Sequence, residues 1–398
     1  MEKISRINVL RGKEDFLNII QGGAFLGSGG GGPIAAGEEM LEEILKDGGE
    51  VVVISTDEIQ KREDLFGAVV AFMGSPSQGT KGIDMNSPLK AFNSLELYVP
   101  NRKLDFALAI EIGAGNSMVP IMTAIKKGIV VVDSDGAGRA VPKIQNTTYA
   151  LACDATPAAL ANGSTQETVQ AEICNIINIE GIDKKDVPDK LESYALEICE
   201  TEEFGGMGGL ALYLLNGKQV IQNTISGTLS LTYQIGKAIR ASLITDSNQL
   251  PADSLKAFLN AVGWTYFTFE KARVIEVKKP VEVKKSVIAS ENGLDYGYVL
   301  IEDYYNNTMK LSYVNENLFA VINDKKIWAM GPDLICYVTN NGAISNVEIE
   351  VGMEVTIFGL KAFDQMRNPI IVESFMQVLK DSGIYSGEYI KIEDLNRD

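Results

Sequence analysis

The chain has 398 residues, 53 of them acidic and 36 basic, for a formal net charge of −17, and it contains no histidine. That charge repels phosphate backbones and anionic lipid surfaces, so neither nucleic acid nor a membrane is expected as a partner. Lacking histidine, the protein cannot use Ser-His-Asp or Cys-His catalysis or a histidine zinc site; chemistry must fall to carboxylates, thiols, other hydroxyl or amine groups, backbone amides or an oxygen-held metal.

With 45% apolar and 22% charged residues, the chain can bury a large core, and its length suits two domains. Residues 1–11 lack an apolar signal core, and no apolar run reaches the ~18 residues of a membrane span, so a soluble, cytoplasmic protein is expected. Four scattered cysteines, Cys153, Cys174, Cys199 and Cys336, with no CxxC pair suit reduced thiols.

Phe16, Leu17, Ile19, Ile20 and Phe25 recur with helical spacing and run into Gly27-Ser28-Gly29-Gly30-Gly31-Gly32-Pro33. A second helix is predicted over about 36–46, ending at Gly48-Gly49. Short apolar runs at 51–54, 67–73, 106–110, 129–132 and 149–153, with a helix over 117–127, read as buried strands of a largely parallel sheet. The composition changes near Asn162-Gly163-Ser164, giving an expected α/β domain over 1–165 and a mixed α+β domain, rich in antiparallel strands, over 166–398. The second domain is predicted to begin with two helices up to about 203 and to contain another over 229–241. Strands are predicted over 274–287 and 299–301, with tight hairpin turns at Asn216-Gly217, Asn292-Gly293 and Asn341-Gly342.

The glycine run satisfies GxGxxG, but it follows a helix and not a strand, which argues against a dinucleotide fingerprint. Its amides can instead cradle an anion or a carbonyl oxygen, so Gly29, Gly30 and Gly31 are expected to bind ligand. The other signal lies just past the predicted strands: Gly74-Ser75-Pro76, Glu111 to Asn116, Asp133 to Arg139, and Cys153-Asp154. Parallel strands align such ends along one carboxyl edge, where open α/β sheets bind ligands. Asn116 and Arg139 are therefore expected to contact substrate. Asp133, Asp135 and Cys153 are candidates for catalysis, and Glu111, Asp133 and Asp135 are candidate ligands of a divalent metal. Carboxylates alone favour magnesium or manganese, and a contribution from Cys153 tilts the choice to zinc. Helix capping by the acids and a structural salt bridge for Arg139 are the alternatives.

Taken together, Leu26 to Pro33, Glu111 to Asn116, Val132 to Pro142, Gly227-Thr228-Leu229-Ser230 and Gly331 to Ile335 resemble the S-methyl-thiohydantoin desulfurase family, often encoded beside hydantoinase and oxoprolinase-type enzymes. The resemblance covers most of the chain in order, and Lys143 departs from the acid the family more often places there. It implies an α/β domain followed by a β-rich one, and metal-assisted hydrolysis of a substituent on a small cyclic amide. The alternatives are a thiol mechanism through Cys153 and a non-catalytic ligand-binding or accessory subunit of a hydantoinase-type system. A homo-oligomer is the general expectation for such a chain.

Overall fold

The computed structural model describes residues 4–74, 84–162, 173–244, 249–279 and 294–395. In chain order its first ten strands are β1 (Val9–Arg11), β2 (Glu50–Ile54), β3 (Phe66–Gly74), β4 (Leu104–Ala109), β5 (Val130–Val132), β6 (Ser134–Asp135), β7 (Ala158–Asn162), β8 (Cys174–Ile177), β9 (Met207–Asn216) and β10 (Ile225–Ser226). Eight of them form one sheet in the order β1-β2-β5-β4-β3-β9-β7-β8, while β6 and β10 make a small ladder of their own. The pairs β2/β5, β5/β4 and β4/β3 are parallel, as the strand–helix alternation predicts. Antiparallel strands extend this core on both flanks. β3 is buried along nearly its whole length, and its run of Val69, Val70 and Ala71 reads accordingly as continuous apolar sequence.

The helices are α1 (Gly12–Leu26), α2 (Ile34–Lys46), α3 (Thr56–Ile59), α4 (Ser87–Tyr98), α5 (Met118–Lys127), α6 (Val187–Cys199), α7 (Gly217–Asn223), α8 (Thr228–Ile244), α9 (Pro251–Val262) and α10 (Pro369–Asp381). α5 ends where Gly128 takes φ +70°, behind Lys126 and Lys127, which suit the negative end of the helix dipole. α1 and α8 cross closely: a Cβ on Gly22 would lie 1.8 Å from the Thr232 carbonyl oxygen, and one on Gly236 would lie 1.8 Å from that of Asn18. Only glycine permits that backbone approach.

The second sheet contains β11 (Tyr266–Lys278), β12 (Tyr296–Asp303), β13 (Thr308–Val314), β14 (Glu316–Ile322), β15 (Lys326–Met330), β16 (Leu334–Thr339), β17 (Gly342–Ile344) and β18 (Glu354–Leu360). Its order is β15-β14-β13-β12-β11-β18-β16-β17, antiparallel throughout. The two halves share a core, in which Phe16 and Phe25 of α1 and Ile235 of α8 cluster with Leu334, Cys336 and Phe358 of the second sheet. No helix among the described residues is long and apolar enough to cross a membrane.

Several local expectations need correction. Residues 149–153 are not a strand: Thr148–Leu151 is a 3-10 turn, fixed because Thr148 donates to the Gly136 carbonyl and the Tyr149 hydroxyl donates to that of Ala109. In place of two helices before 203 there are β8 and α6. Asn216-Gly217 is no hairpin, because the Asn216 side chain accepts the Gln219 amide and starts α7 as a capping box. A hairpin does join β16 to β17, one residue earlier than expected: Asn340 and Asn341 form the turn, and Gly342 opens β17 opposite Thr339. The turn at Asn292-Gly293, the strand residues beyond 279 and the positions Ser75, Pro76, Gly163 and Ser164 lie outside the described residues. β8 and β9, which follow the boundary expected at 165/166, belong to the first sheet.

Candidate functional site

The glycine run leaves α1 with positive φ at Ser28 (53°), Gly29 (87°), Gly31 (76°) and Gly32 (86°), a course that L side chains resist. It is wedged between the two halves. The Ser28 hydroxyl accepts the Ile335 amide at 2.7 Å and donates to its carbonyl at 3.1 Å. The Ser28 carbonyl accepts the Asn317 amide, and the Gly29 carbonyl that of Asn346. On the other side the Gly31 carbonyl accepts the amides of Gly115 and Asn116. A Cβ on Gly31 would sit 2.4 Å from the Gly113 Cα, and one on Gly30 would sit 2.1 Å from Glu316 Oε1. Gly29 and Gly30 thus serve packing, while Gly31 and Gly32 line a cleft; among the described residues neither of their amides has a hydrogen-bond partner.

The cleft is walled by residues of both halves of the chain. It opens where the carboxyl ends of β3 and β4 meet α6 and the start of β14. Met40, Met73, Ile110 and Met207 are among its apolar walls, and Glu111, Asn116, Glu192 and Glu316 supply most of its polar chemistry. Glu111 and Asn116, both expected at a strand end, do meet here: the Asn116 side-chain amide donates to Glu111 Oε1, and the Val141 amide donates to Oε2 at 2.6 Å.

Electrostatics set this cleft apart. Burial, reinforced by the charge of Glu316, pushes the Glu111 carboxyl well above its ordinary value, against the opposing hydrogen bond from Val141. Burial pushes Glu316 up to about 8, with Arg139 pulling the other way. Burial likewise raises Glu192 to about 7, partly offset by Lys143. Glu316 is 3% exposed, and its Oε2 has no hydrogen-bond partner. Glu192 and Glu316 were missed in the sequence. Glu316 has a retrospective signal, a lone acid opening the apolar run Leu318 to Ile322, whereas Glu192 sits in an ordinary amphipathic helix.

Arg139 lies behind these acids, fully buried, and does not line the cleft. Its guanidinium donates to the carbonyls of Ala140, Pro332, Asp333 and Asn317, at 2.8 to 3.2 Å. With its donors spent on backbone, it is a strut between the halves and not the substrate clamp expected. No carboxylate among the described residues comes within 4.0 Å of it, and the acids whose charge favours the buried cation from farther away are Glu316, Asp333 and Glu111. Glu316 in turn raises Glu111, so the two acids of the cleft titrate as a pair.

Asp133 and Asp135 have other employment. Asp133 accepts the Ser230 amide at 2.8 Å and the Ser230 hydroxyl at 2.6 Å, capping the start of α8 from a distance. Asp135 Oδ2 accepts the amides of Ala137 and Gly138, and burial raises this carboxyl to about 7. Neither lines the cleft. Glu111 lines the cleft and the two aspartates do not, so the proposed ligand set does not converge there on a shared metal. Among the described residues no group of three Cys, Asp or Glu side chains is arranged to hold one. Cys153 is buried in the second core, and that burial pushes its thiol up to about 12, the reverse of an activated nucleophile.

Comparison with known proteins agrees with this architecture. Residues 14–172 match the family model described as S-Me-THD-like, N-terminal domain, and residues 187–375 match S-Me-THD-like, C-terminal domain. An X-ray crystal structure of a protein from Chromobacterium violaceum, 26% identical, superposes with a TM-score of 0.80 over 97% of this chain and 100% of that one. No curated protein matches the sequence.

Proposed function

The chain belongs to the S-Me-THD-like family, and from that premise we propose that the cleft hydrolyses the exocyclic carbon–sulfur bond of a small S-methylated thiohydantoin-like ring. The observation that carries this reading is the pair Glu111 and Glu316, both buried in the wall of one largely apolar cleft with raised affinities for protons, the charge of Glu316 reaching Glu111. The ionised member takes a proton from water as the water oxygen bonds to the ring carbon. The protonated member supplies the ring nitrogen. The carbon–sulfur bond then breaks, the departing sulfur takes the proton held by the first carboxyl, the second carboxylate recovers its proton from the former water oxygen, and the products are a ring carbonyl with an adjacent N–H and methanethiol. Charge that develops on the ring oxygen during collapse is met by the unpartnered amides of Gly31 and Gly32. Arg139, behind the wall, favours the ionised form of both acids, and the methionines offer soft, polarisable surface to the methylthio group. No step is routed through a metal, because of the three acids proposed to hold one only Glu111 lines the cleft.

Thiol release from 2-(methylthio)-imidazol-4-one, followed with a disulfide reagent, tests the proposal. Glu111→Gln and Glu316→Gln should each lower kcat by at least ~100-fold, the scale of acid–base catalysis. Wild-type protein that binds the ring without releasing thiol would make the cleft a binding site only.

A further inference from the structure

Resting on that reading of the cleft, we infer that it recognises the amide edge of the ring, with the ring N–H on Asn116 Oδ1 and the ring carbonyl oxygen on the amides of Gly31 and Gly32. Asn116 then sets specificity for rings whose amide nitrogen is unsubstituted. The pointer is the way this side chain is held. The Asn116 backbone amide donates to the Gly31 carbonyl at 3.1 Å, and its side-chain amide donates to Glu111 Oε1. Glu111 can take that N–H in either protonation state, because a carboxyl oxygen that carries a proton still has a lone pair to offer. Asn116 lines the cleft, and among the described residues nothing donates to its Oδ1. Two anchors therefore leave one fixed acceptor in the cleft wall.

Donors stand beside it. The amides of Gly31 and Gly32 belong to the same wall and lack a partner, and the bond from Asn116 to the Gly31 carbonyl ties the two segments together. The glycines are pinned by their φ values of 76° and 86° and, for Gly31, by its approach to the Gly113 backbone, so they cannot turn to find partners within the protein. An acceptor next to donors is the complement of an N–H next to a carbonyl, the pattern a five-membered cyclic amide presents along one edge. Glu316 Oε2, buried and unpartnered in the same wall, is left for the other ring nitrogen, which the proposed hydrolysis protonates. An amide oxygen only accepts, so a bare or methylated ring nitrogen leaves Asn116 unsatisfied, and a site built to meet an N–H rejects the analogue that lacks it.

Isothermal titration of the full chain tests this with 2-ethyl-5-isobutyl-imidazol-4-one, in which carbon replaces the sulfur so that nothing is cleaved, and with its two N-methyl isomers. Methyl on N3 covers the amide nitrogen; methyl on N1 moves the double bond to N3 and leaves that nitrogen bare. The parent should bind at least about tenfold more tightly than either isomer. In Asn116→Ala the parent should lose about tenfold, and the N3-methyl isomer should come within about threefold of it. Should that variant not fold, the wild-type ranking decides alone. An isomer that binds the wild type as tightly as the parent overturns the inference, as does full discrimination against the N3-methyl isomer in Asn116→Ala or a parent that fails to bind. Thiol release from the matching methylthio compounds separates the two ideas. The predicted ranking without thiol release defeats the hydrolytic reading and leaves edge recognition standing, whereas thiol release from the N3-methyl substrate at the parent's kcat/KM does the opposite.

Discussion

Replacing Glu316 by glutamine exchanges a titrating carboxyl for a neutral amide of the same shape, and the consequence for stability depends on pH in a direction fixed by its environment. In the folded protein, burial holds Glu316 at about 8, against 4.5 for a free glutamate. At 1.36 kcal/mol for each tenfold change in proton affinity, this carboxyl carries roughly 5 kcal/mol of proton-linked stability, shared with its neighbour Glu111. Because the folded value is the raised one, the folded state keeps a proton that the unfolded chain gives up. The contribution is fully present below pH 4.5 and is lost as pH rises through 8. Glutamine does not ionise in either state, so Glu316→Gln should match wild type most closely in acid and gain on it as pH rises. Urea unfolding of both proteins at pH 5 and pH 8.5, at one ionic strength, should show the difference between them widening by several kcal/mol in favour of the variant. Other buried acids titrate in both proteins and largely cancel. A gap that changes by less than about 1 kcal/mol, or that moves toward wild type, would mean that Glu316 is ionised throughout, and the acid–base pair of the proposed mechanism would fall with it.

The glycine crossing supplies a second test: Gly31→Ala must adopt φ +76° and place its Cβ 2.4 Å from the Gly113 Cα, so about 3 kcal/mol or more of stability should be lost by denaturant titration. Gly48→Ala, at φ +91° with nothing within 4 Å, isolates the backbone term at about 1–2 kcal/mol, and equal losses for the two would discount the crossing. Limited alkylation with peptide mapping should label half-exposed Cys174 first, because burial pushes the thiols of Cys153, Cys199 and Cys336 up to about 12; equally fast labelling of Cys153 would return it to the list of candidate nucleophiles. Asp133→Ala strips the start of α8 of its acceptor and should cost about 1–3 kcal/mol in urea while leaving ligand affinity intact, whereas a large affinity loss in a stable variant would put Asp133 back at the site.

Much of this organisation was legible in the chain. Runs such as Val69 to Ala71, apolar on both faces, announce central strands, and the positions just past β4 include Glu111 and Asn116, which line the cleft. What sequence could not convey is which partner each polar group finds. Asp133 and Asp135 stand beyond a strand end as ligand-binding acids do, yet Asp133 is claimed by Ser230, 97 residues later, which no local pattern foretells. Arg139 looks like an anion clamp until Asn317, Pro332 and Asp333 take its donors. The same distance hid Glu316. An acid at the start of an antiparallel strand reads as surface until the glycine loop from the other end of the chain closes over it.

The clasp between Ser28 and Ile335 joins positions 307 residues apart. At a synthesis rate of ~5–20 residues per second, roughly 15–60 s pass between the emergence of one partner and the other. Through that interval the nascent chain carries a glycine segment whose hydroxyl and carbonyl partners do not yet exist, beside helices whose apolar faces await the second sheet. A chain released early, before Leu334–Thr339 is made, leaves that segment exposed as a flexible target for proteolysis. The same contact that ties the two halves together thus distinguishes finished molecules from fragments.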